Sequence, residues 1–405
     1  MNKLLKKTRY SGTIKAKPSK SFAHRYLLAS ALAENESVIS NIDFSDDIVA
    51  TLNCIHAYGK IHNRNFEKNI VEFSDKTVKN YEPTFDCKES GTTLRLFLPI
   101  AISRYDKATF IGSERLIERG VSIYENIFKY VTFGKGRYNI DTKGLLYPSH
   151  FELSGDISSQ YISGLLYSLP LLDGDSDILI TTRLESKNYV LMTLDVLKKY
   201  GIRIETNIYE NTDNKNIFFK IAGNQKYTAA NFSIEGDYSN AAFIDAFNYF
   251  GNNINIENLF ENSLQSDKIY KKYFDELDKD FAEIDISNCI DLGPILVTFA
   301  ALKNGARITG TRRLKIKESD RGNAIAEELR KCNASIDILE NEIIVHKIEL
   351  TKPCEILNSH NDHRIAMSLS LLSTQFDIEI EGAECVKKSY PDYFEDLEKL
   401  EVQIN

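Results

Sequence analysis

A mixed α/β fold of two similar domains is what this chain of 405 residues predicts, and three observations carry that reading. Six stretches open on polar residues and run into bodies that are apolar nearly all round, as buried helices are. Between them lie short β-like runs such as Ile178-Leu179-Ile180 and Ile343-Ile344-Val345, with amphipathic helices such as Leu191 to Tyr200 and Ile325 to Cys332. The length exceeds one ordinary core and suggests two domains of roughly 200 residues each.

In chain order, a weakly alternating run from Tyr10 to Ile14 is followed by Pro18-Ser19-Lys20-Ser21, which opens a helix through Leu32. Arg25 stands four residues after Ser21 on the same face, so Lys20, Ser21 and Arg25 could hold one anion together. The second opening, Glu89-Ser90-Gly91-Thr92-Thr93-Leu94-Arg95, places a glycine where backbone N–H groups can approach a ligand closely. The third, Ser158-Ser159-Gln160-Tyr161, carries more hydroxyl and amide groups than one cap requires. Asp237-Tyr238-Ser239-Asn240, Asp291-Leu292-Gly293-Pro294 and Asn361-Asp362-His363-Arg364 open the other three. The openings recur at intervals of about 50 to 80 residues, too irregular for a solenoid but suggestive of repeated supersecondary units. After the polar loop Glu210 to Asn216 and the strand Ile217-Phe218-Phe219, a break is expected near Glu235-Gly236, with three openings on each side. That predicts a first domain over 18–235 and a second over 236–405, with helix N-termini facing a shared cleft.

The most charged stretch is Leu314-Lys315-Ile316-Lys317-Glu318-Ser319-Asp320-Arg321. Ile316 is expected to close a β-like run, with Ser319 and Asp320 offering cap oxygens to a helix. Lys317 and Arg321, four apart, would share one face at a positive helix end, a good anion site and a poor salt-bridge network. Taken alone, such an octet reads equally as a solvated charged turn.

Net charge is −8, so no overall basic field exists to hold nucleic acid or anionic lipid, and any anion must be bound by local clusters. The basic N-terminus lacks a following apolar core, and no run approaches the roughly eighteen apolar residues of a spanning helix, which predicts a cytoplasmic protein. The six cysteines contain no C-x-x-C pair and read as reduced thiols. His360 and His363 are the closest histidine pair but lack a third ligand, and neither a Walker A nor a G-x-G-x-x-G motif occurs, so no metal and no cofactor is expected. Without a heptad seam, a monomer is the expectation.

In order along the chain, Ser19-Lys20-Ser21 with Arg25, Gly91 to Arg95, Ser158-Ser159-Gln160, Ser186-Lys187-Asn188-Tyr189, Asp291, Lys315 to Arg321, Asn361 to Arg364 and Lys388-Ser389-Tyr390-Pro391-Asp392-Tyr393-Phe394 form one pattern. It resembles the 5-enolpyruvylshikimate-3-phosphate synthases, the enolpyruvyl transferases of the shikimate pathway. The resemblance implies two inside-out α/β domains built from repeated βαβαββ units around buried helices, with residues 1–17 joining the C-terminal half. It implies shikimate-3-phosphate contacts at Ser21, Arg25, Ser158, Ser159, Ser186, Tyr189, Asp291 and Lys317. Phosphoenolpyruvate contacts would fall on Lys20, Gly91, Arg119, Gln160, Arg321, Arg364 and Lys388. The chain departs from the family's usual pattern at Pro18, Glu89, Leu96, Gly120, Asn188 and Arg313, none of which removes a catalytic side chain.

The implied reaction adds the ring hydroxyl to the protonated enol and then eliminates phosphate. Asp291 or Lys20 would take the hydroxyl proton, and Glu318 or Lys388 would handle the carbon proton. Both substrates are anions, which suits arginine forks for binding and lysines for proton transfer. A UDP-N-acetylglucosamine enolpyruvyl transferase fits less well, since no cysteine lies between Cys87 and Cys289. A metabolite-binding relative without turnover would need neither of the carboxylates Asp291 and Glu318.

Overall fold

All six apolar-bodied stretches are helices in the computed structural model: Lys20–Leu32, Gly91–Ile102, Ser159–Ser168, Tyr238–Asp245, Gly293–Leu302 and His363–Ser370. The structure describes residues 1–211 and 214–402, so part of the polar loop Glu210 to Asn216 and the last three positions of the chain lie outside the described residues. Four of the six begin on a side-chain cap: Ser90, Ser158, Asp237 and Asp362 each accept a hydrogen bond from a backbone N–H two or three residues on. Their bodies are buried on every side; a leucine such as Leu27 or Leu296, wholly out of water, contributes about 1.5–3 kcal/mol relative to exposure.

The chain divides into two compact units, Lys20–Glu235 and Met1–Ser19 with Gly236–Asn405. In the first, the strands Thr84–Asp86, Lys107–Ile111, Thr132–Lys135 and Asn139–Lys143 make a sheet in the order first, second, fourth, third. The first two strands are parallel and flank a helix; the last two form an antiparallel hairpin. The same βαβαββ pattern recurs in His150–Leu153, Ser176–Ile180, Ile204–Thr206 and Ile217–Ile221. A third sheet repeats the order with a difference: its first position, parallel to Ser37–Ser40, is filled by Phe232–Ser233 from the far end of the unit.

The second unit holds a full copy in Ala282–Asp285, Ala306–Thr309, Ser335–Ile338 and Glu342–His346. Its N-terminal strands complete two smaller sheets: Asn2–Leu5 pairs antiparallel with Ile378–Glu381, and Arg9–Lys15 pairs parallel with Asn253–Glu257. Its three central helices share one apolar core with both sequence ends of the unit, from Leu5 and Tyr10 to Leu397 and Leu400. Among the described residues no helix is long and apolar enough to cross a membrane.

The strand expected before the charged turn does not form. Ile316 closes no strand: the strand ends at Thr309, Gly310 turns at φ 75°, and Arg312–Ile316 is a 3-10 helix. A strand would have put Leu314 and Ile316 on one face, whereas Leu314 enters the core and Ile316 stays exposed. The turn is held because the N–H groups of Gly310 and Thr311 both donate to the Asn341 carbonyl.

Candidate active site

In an α/β unit of parallel strands and crossover helices, ligands meet the chain beyond the carboxyl ends of the strands. Most of the expected site residues are there. Gly91 follows Thr84–Asp86, Arg119 follows Lys107–Ile111, Ser158 to Gln160 follow His150–Leu153, and Ser186 and Tyr189 follow Ser176–Ile180. In the other unit Asp291 follows Ala282–Asp285, Lys317 to Arg321 follow Ala306–Thr309, Arg364 follows Leu357–Asn358, and Lys388 follows Ile378–Glu381.

In the Lys20–Glu235 unit the buried guanidiniums of Arg25 and Arg95 rest on neutral acceptors. Arg25 is buried, donating from Nε to Thr193 Oγ1 at 2.9 Å, from Nη1 to the Ser21 carbonyl at 2.7 Å and from Nη2 to the Tyr189 carbonyl at 2.9 Å. Burial pulls its pKa below the ordinary arginine value, and no described carboxylate pairs with it. Arg95 donates to Tyr161 Oη, Gln160 Oε1 and the Gly120 carbonyl at 3.2, 2.9 and 3.4 Å, again without an acid. Gly120 sits at φ 58° and ψ −166°, a conformation open essentially to glycine alone, and so aims that carbonyl at Arg95. A Cβ on Gly91 would meet Arg119 Nη2 and Arg95 Nη1, each at 3.0 Å, so two guanidiniums converge on this helix start.

Lys20, at a helix N-terminus, donates to Asp47 Oδ2 at 2.9 Å. Gln160 is fixed by Arg95 and by its own donation to Thr92 Oγ1 at 2.8 Å. Ser158 caps its helix and Ser159 is buried in the first turn. Ser186 holds φ 56°, a strained left-handed start to the helix Lys187–Lys199 that bears Tyr189. Buried hydroxyls tie helix starts together: His24 Nδ1 to Thr51 at 2.7 Å, Thr51 to Thr93 at 2.7 Å, and Thr93 Oγ1 donating to Ser90 at 2.8 Å. Burial, then Lys20 and Arg25, hold His24 well below its ordinary pKa, so it stays neutral.

The second unit instead balances its charges. Asp291 Oδ1 accepts from Lys317 Nζ at 3.0 Å and Arg321 Nη1 at 2.9 Å, and Oδ2 accepts from Arg364 Nη2 at 3.1 Å. Burial opposes its ionisation, but Arg364, Lys317 and Arg321 outweigh that and hold the carboxyl well below the usual carboxylate range. Lys317 is shifted down by burial, against the pull of Asp291. Arg321, 1% exposed, also donates to Glu318 Oε2 at 2.8 Å and to both oxygens of Asp362 at 2.8 and 3.2 Å. Lys317 and Arg321 therefore meet through Asp291 and not by helical spacing: the helix begins at Arg321, with Asp320 as its cap. Ser319, expected as a second cap oxygen, donates to Asp362 at 3.1 Å instead. Lys388 Nζ donates to the Asn361 carbonyl at 2.5 Å.

Three acids and one hydroxyl escaped the sequence reading. Asp47 pairs with Lys20, Thr193 accepts from Arg25, and Asp362, part of the polar opening Asn361 to Arg364, is also the wholly buried counter-ion of Arg321. The fourth group is Asp267, 1% exposed and hydrogen-bonded by Ser239 Oγ. Burial, with Asp291 nearby, pushes its pKa up to about 6. A raised folded pKa means that the fold holds a proton the unfolded chain has released, so this group's contribution to stability falls as pH rises from about 4 to 6. Asp267→Asn should therefore gain on the wild type across that window, by about 1–3 kcal/mol in urea-unfolding free energy. A difference independent of pH would show that the carboxyl is not raised.

The comparison with known proteins decides the family. The family model of EPSP synthase (3-phosphoshikimate 1-carboxyvinyltransferase) matches residues 4–397. The chain belongs to that family. It is 40% identical to the 3-phosphoshikimate 1-carboxyvinyltransferase of Clostridium perfringens strain SM101, with 96% of each chain covered. Against the protein of that name from Clostridium acetobutylicum it is 41% identical, over 96% of this chain and 95% of the other. Among solved structures, EPSP synthase from Acinetobacter baumannii superposes with a TM-score of 0.75 at 20% identity, covering 99% of this chain and 98% of that one. The enolpyruvyl transferase NikO from Streptomyces tendae gives 0.74 at 15% identity, over 98% and 97%. Those two likenesses establish the two-domain α/β fold.

Proposed function

We propose that this chain is a 3-phosphoshikimate 1-carboxyvinyltransferase, which moves the enolpyruvyl group of phosphoenolpyruvate to the 5-hydroxyl of shikimate-3-phosphate and releases phosphate. Family membership over residues 4–397 carries that reading. The site geometry supports the roles assigned to its side chains.

Arg25, buried on neutral acceptors, retains its full charge for an anion, and with Ser21, Ser158, Ser159, Ser186, Tyr189 and Lys317 it is assigned to shikimate-3-phosphate. Gly91, Arg119, Gln160, Arg321 and Arg364 are assigned to phosphoenolpyruvate. Asp291, held ionised by three cations, is a proton acceptor and not a donor, which favours it over Lys20 for the ring hydroxyl. Lys20, paired with Asp47, is then a charge beside the enol phosphate. The carbon proton is assigned to Glu318 or Lys388. Protonation of the methylene carbon, attack of the hydroxyl oxygen on the neighbouring carbon and loss of its proton give the adduct. Loss of a methyl proton with departure of phosphate then restores the double bond. Glu318→Gln and Lys388→Met separate the two candidates: the one that abolishes solvent-deuterium entry into the methylene of the product is the carbon acid.

Phosphate release with phosphoenolpyruvate plus shikimate-3-phosphate, run beside phosphoenolpyruvate plus UDP-N-acetylglucosamine, tests the whole. Release with the first pair alone is expected; release with the second, or with neither, would refute it. Gly91→Ala should raise the KM for phosphoenolpyruvate about tenfold, because its methyl enters the space where Arg95 and Arg119 converge. The displaced atoms are the ends of flexible side chains, so the melting temperature should hold. An unchanged KM would remove Gly91 from the binding site. A cytoplasmic monomer that binds no nucleic acid is part of the same reading, and a dimer mass by light scattering would contradict it.

A further inference from the structure

After the strand Leu357–Asn358 the chain turns through His360 at φ 50° and Asn361 at φ 52°, two successive non-glycine residues in the left-handed region. L side chains adopt that region at a cost, so neighbouring bonds must hold the turn. Ser359 supplies some of them, its Oγ accepting from the Asn361 N–H at 3.3 Å and donating to the Gly382 carbonyl at 3.0 Å; the others come from Glu328, a residue of the helix Arg321–Arg330 whose side chain is 0% exposed. Its Oε1 accepts from His360 Nε2 at 2.8 Å, and its Oε2 accepts from the Asn358 N–H at 2.7 Å and from Lys331 Nζ at 2.8 Å. Asn358 Oδ1 in turn accepts from the His360 N–H at 2.6 Å.

What this turn presents is part of the site. The Asn361 carbonyl receives the Lys388 ammonium, and the Asp362 carboxylate receives the Arg321 guanidinium. One helix thus grips the turn twice, through Arg321 at its first residue and through Glu328 two turns later. We propose that the His360–Glu328 pair positions the 358–362 turn, and through it Lys388 and Arg321, for the transfer reaction; this rests on the functional reading above. His360 touches no reacting atom and acts only through Asn361 and Asp362. Glu327, Glu328 and His360 bring ligand atoms within 4.8 Å of one another, but Lys331 already supplies positive charge to the Glu328 oxygen that His360 leaves.

The charged groups facing His360 are Glu328, Glu327 and Lys331. The bond to Glu328 raises its pKa above the ordinary histidine value, with burial opposing. The pair is therefore fully charged below about pH 6.5 and weakens as pH rises through the folded pKa. His360→Ala removes the donor, whereas His360→Gln keeps an N–H donor that does not titrate. The alanine variant should lose kcat roughly ten- to a hundredfold, with KM values changed less. The glutamine variant should recover most of that loss and lack the wild type's decline on the alkaline side. Wild-type kcat and pH profile in the alanine variant would overturn the proposal, as would a lowered melting temperature with kcat intact.

A readout independent of turnover keeps this distinct from the functional reading. By NMR of the full chain, the His360 ring should titrate above 6.5 in the wild type, and the Lys388 ammonium signal should move in His360→Ala and return in His360→Gln. If the wild type turns over neither substrate pair, the functional reading fails by itself. An unmoved Lys388 signal would overturn the positioning role whatever the activity, and should the alanine variant not fold, the pH profile of the glutamine variant decides.

Discussion

Asp291→Asn is expected to lower kcat by about a thousandfold, within the range lost when a general base is removed. The amide keeps the size of the carboxylate but loses the charge that Lys317, Arg321 and Arg364 hold, and one of its two ends must now present N–H groups to a cation. Binding should respond in the opposite sense. With one negative charge fewer among three cations, shikimate-3-phosphate should raise the melting temperature at least as much as it does in the wild type. That split between lost turnover and kept affinity separates a base from a binding residue. A kcat within tenfold of the wild type would assign the hydroxyl proton elsewhere, with Lys20 the next candidate. Because the folded pKa of Asp291 lies well below the usual range, its ionisation should place no acid limb in the pH profile near neutrality.

Arg321→Met should cost about 3–5 kcal/mol of stability, the price of leaving buried charge uncompensated. Arg321 serves three carboxylates, Asp291, Glu318 and Asp362, and the last has 0% exposure. Removing the guanidinium leaves Asp362 with hydrogen bonds from the Ser319 N–H and hydroxyl and the Arg364 N–H, and with His363 Nδ1 at 3.7 Å. Arg321→Lys should recover only part of the loss, since one ammonium cannot span three acceptors as the planar fork does. Urea denaturation measures both. Adding Asp362→Asn to Arg321→Met should recover stability, whereas additive losses would mean that the pair is not coupled.

The expectations that held concern neighbours in sequence. Ser90, Ser158, Asp237 and Asp362 were legible as caps because a cap and its N–H lie two or three residues apart, and the apolar bodies behind them repeat within one helical turn. The charged octet shows the limit. Its helix start at Arg321 was readable, but the strand expected before it was not formed, because Asn341, about thirty residues on, holds Gly310 and Thr311 in a turn. Asp267 carried no sequence signal at all, since its raised pKa comes from burial and from Asp291.

Family, fold class and the kinds of chemical group available can be read along the chain, since those rest on local pattern and on motifs kept in order. Which charge each group meets is set by the packing of the folded chain. Asp362 lies 41 residues from Arg321, Thr193 lies 168 from Arg25, and His360 lies 32 from Glu328. Whether a buried charge is a binding group, a base or a brace depends on the field of such partners, and Coulomb forces act across space without regard to separation along the chain.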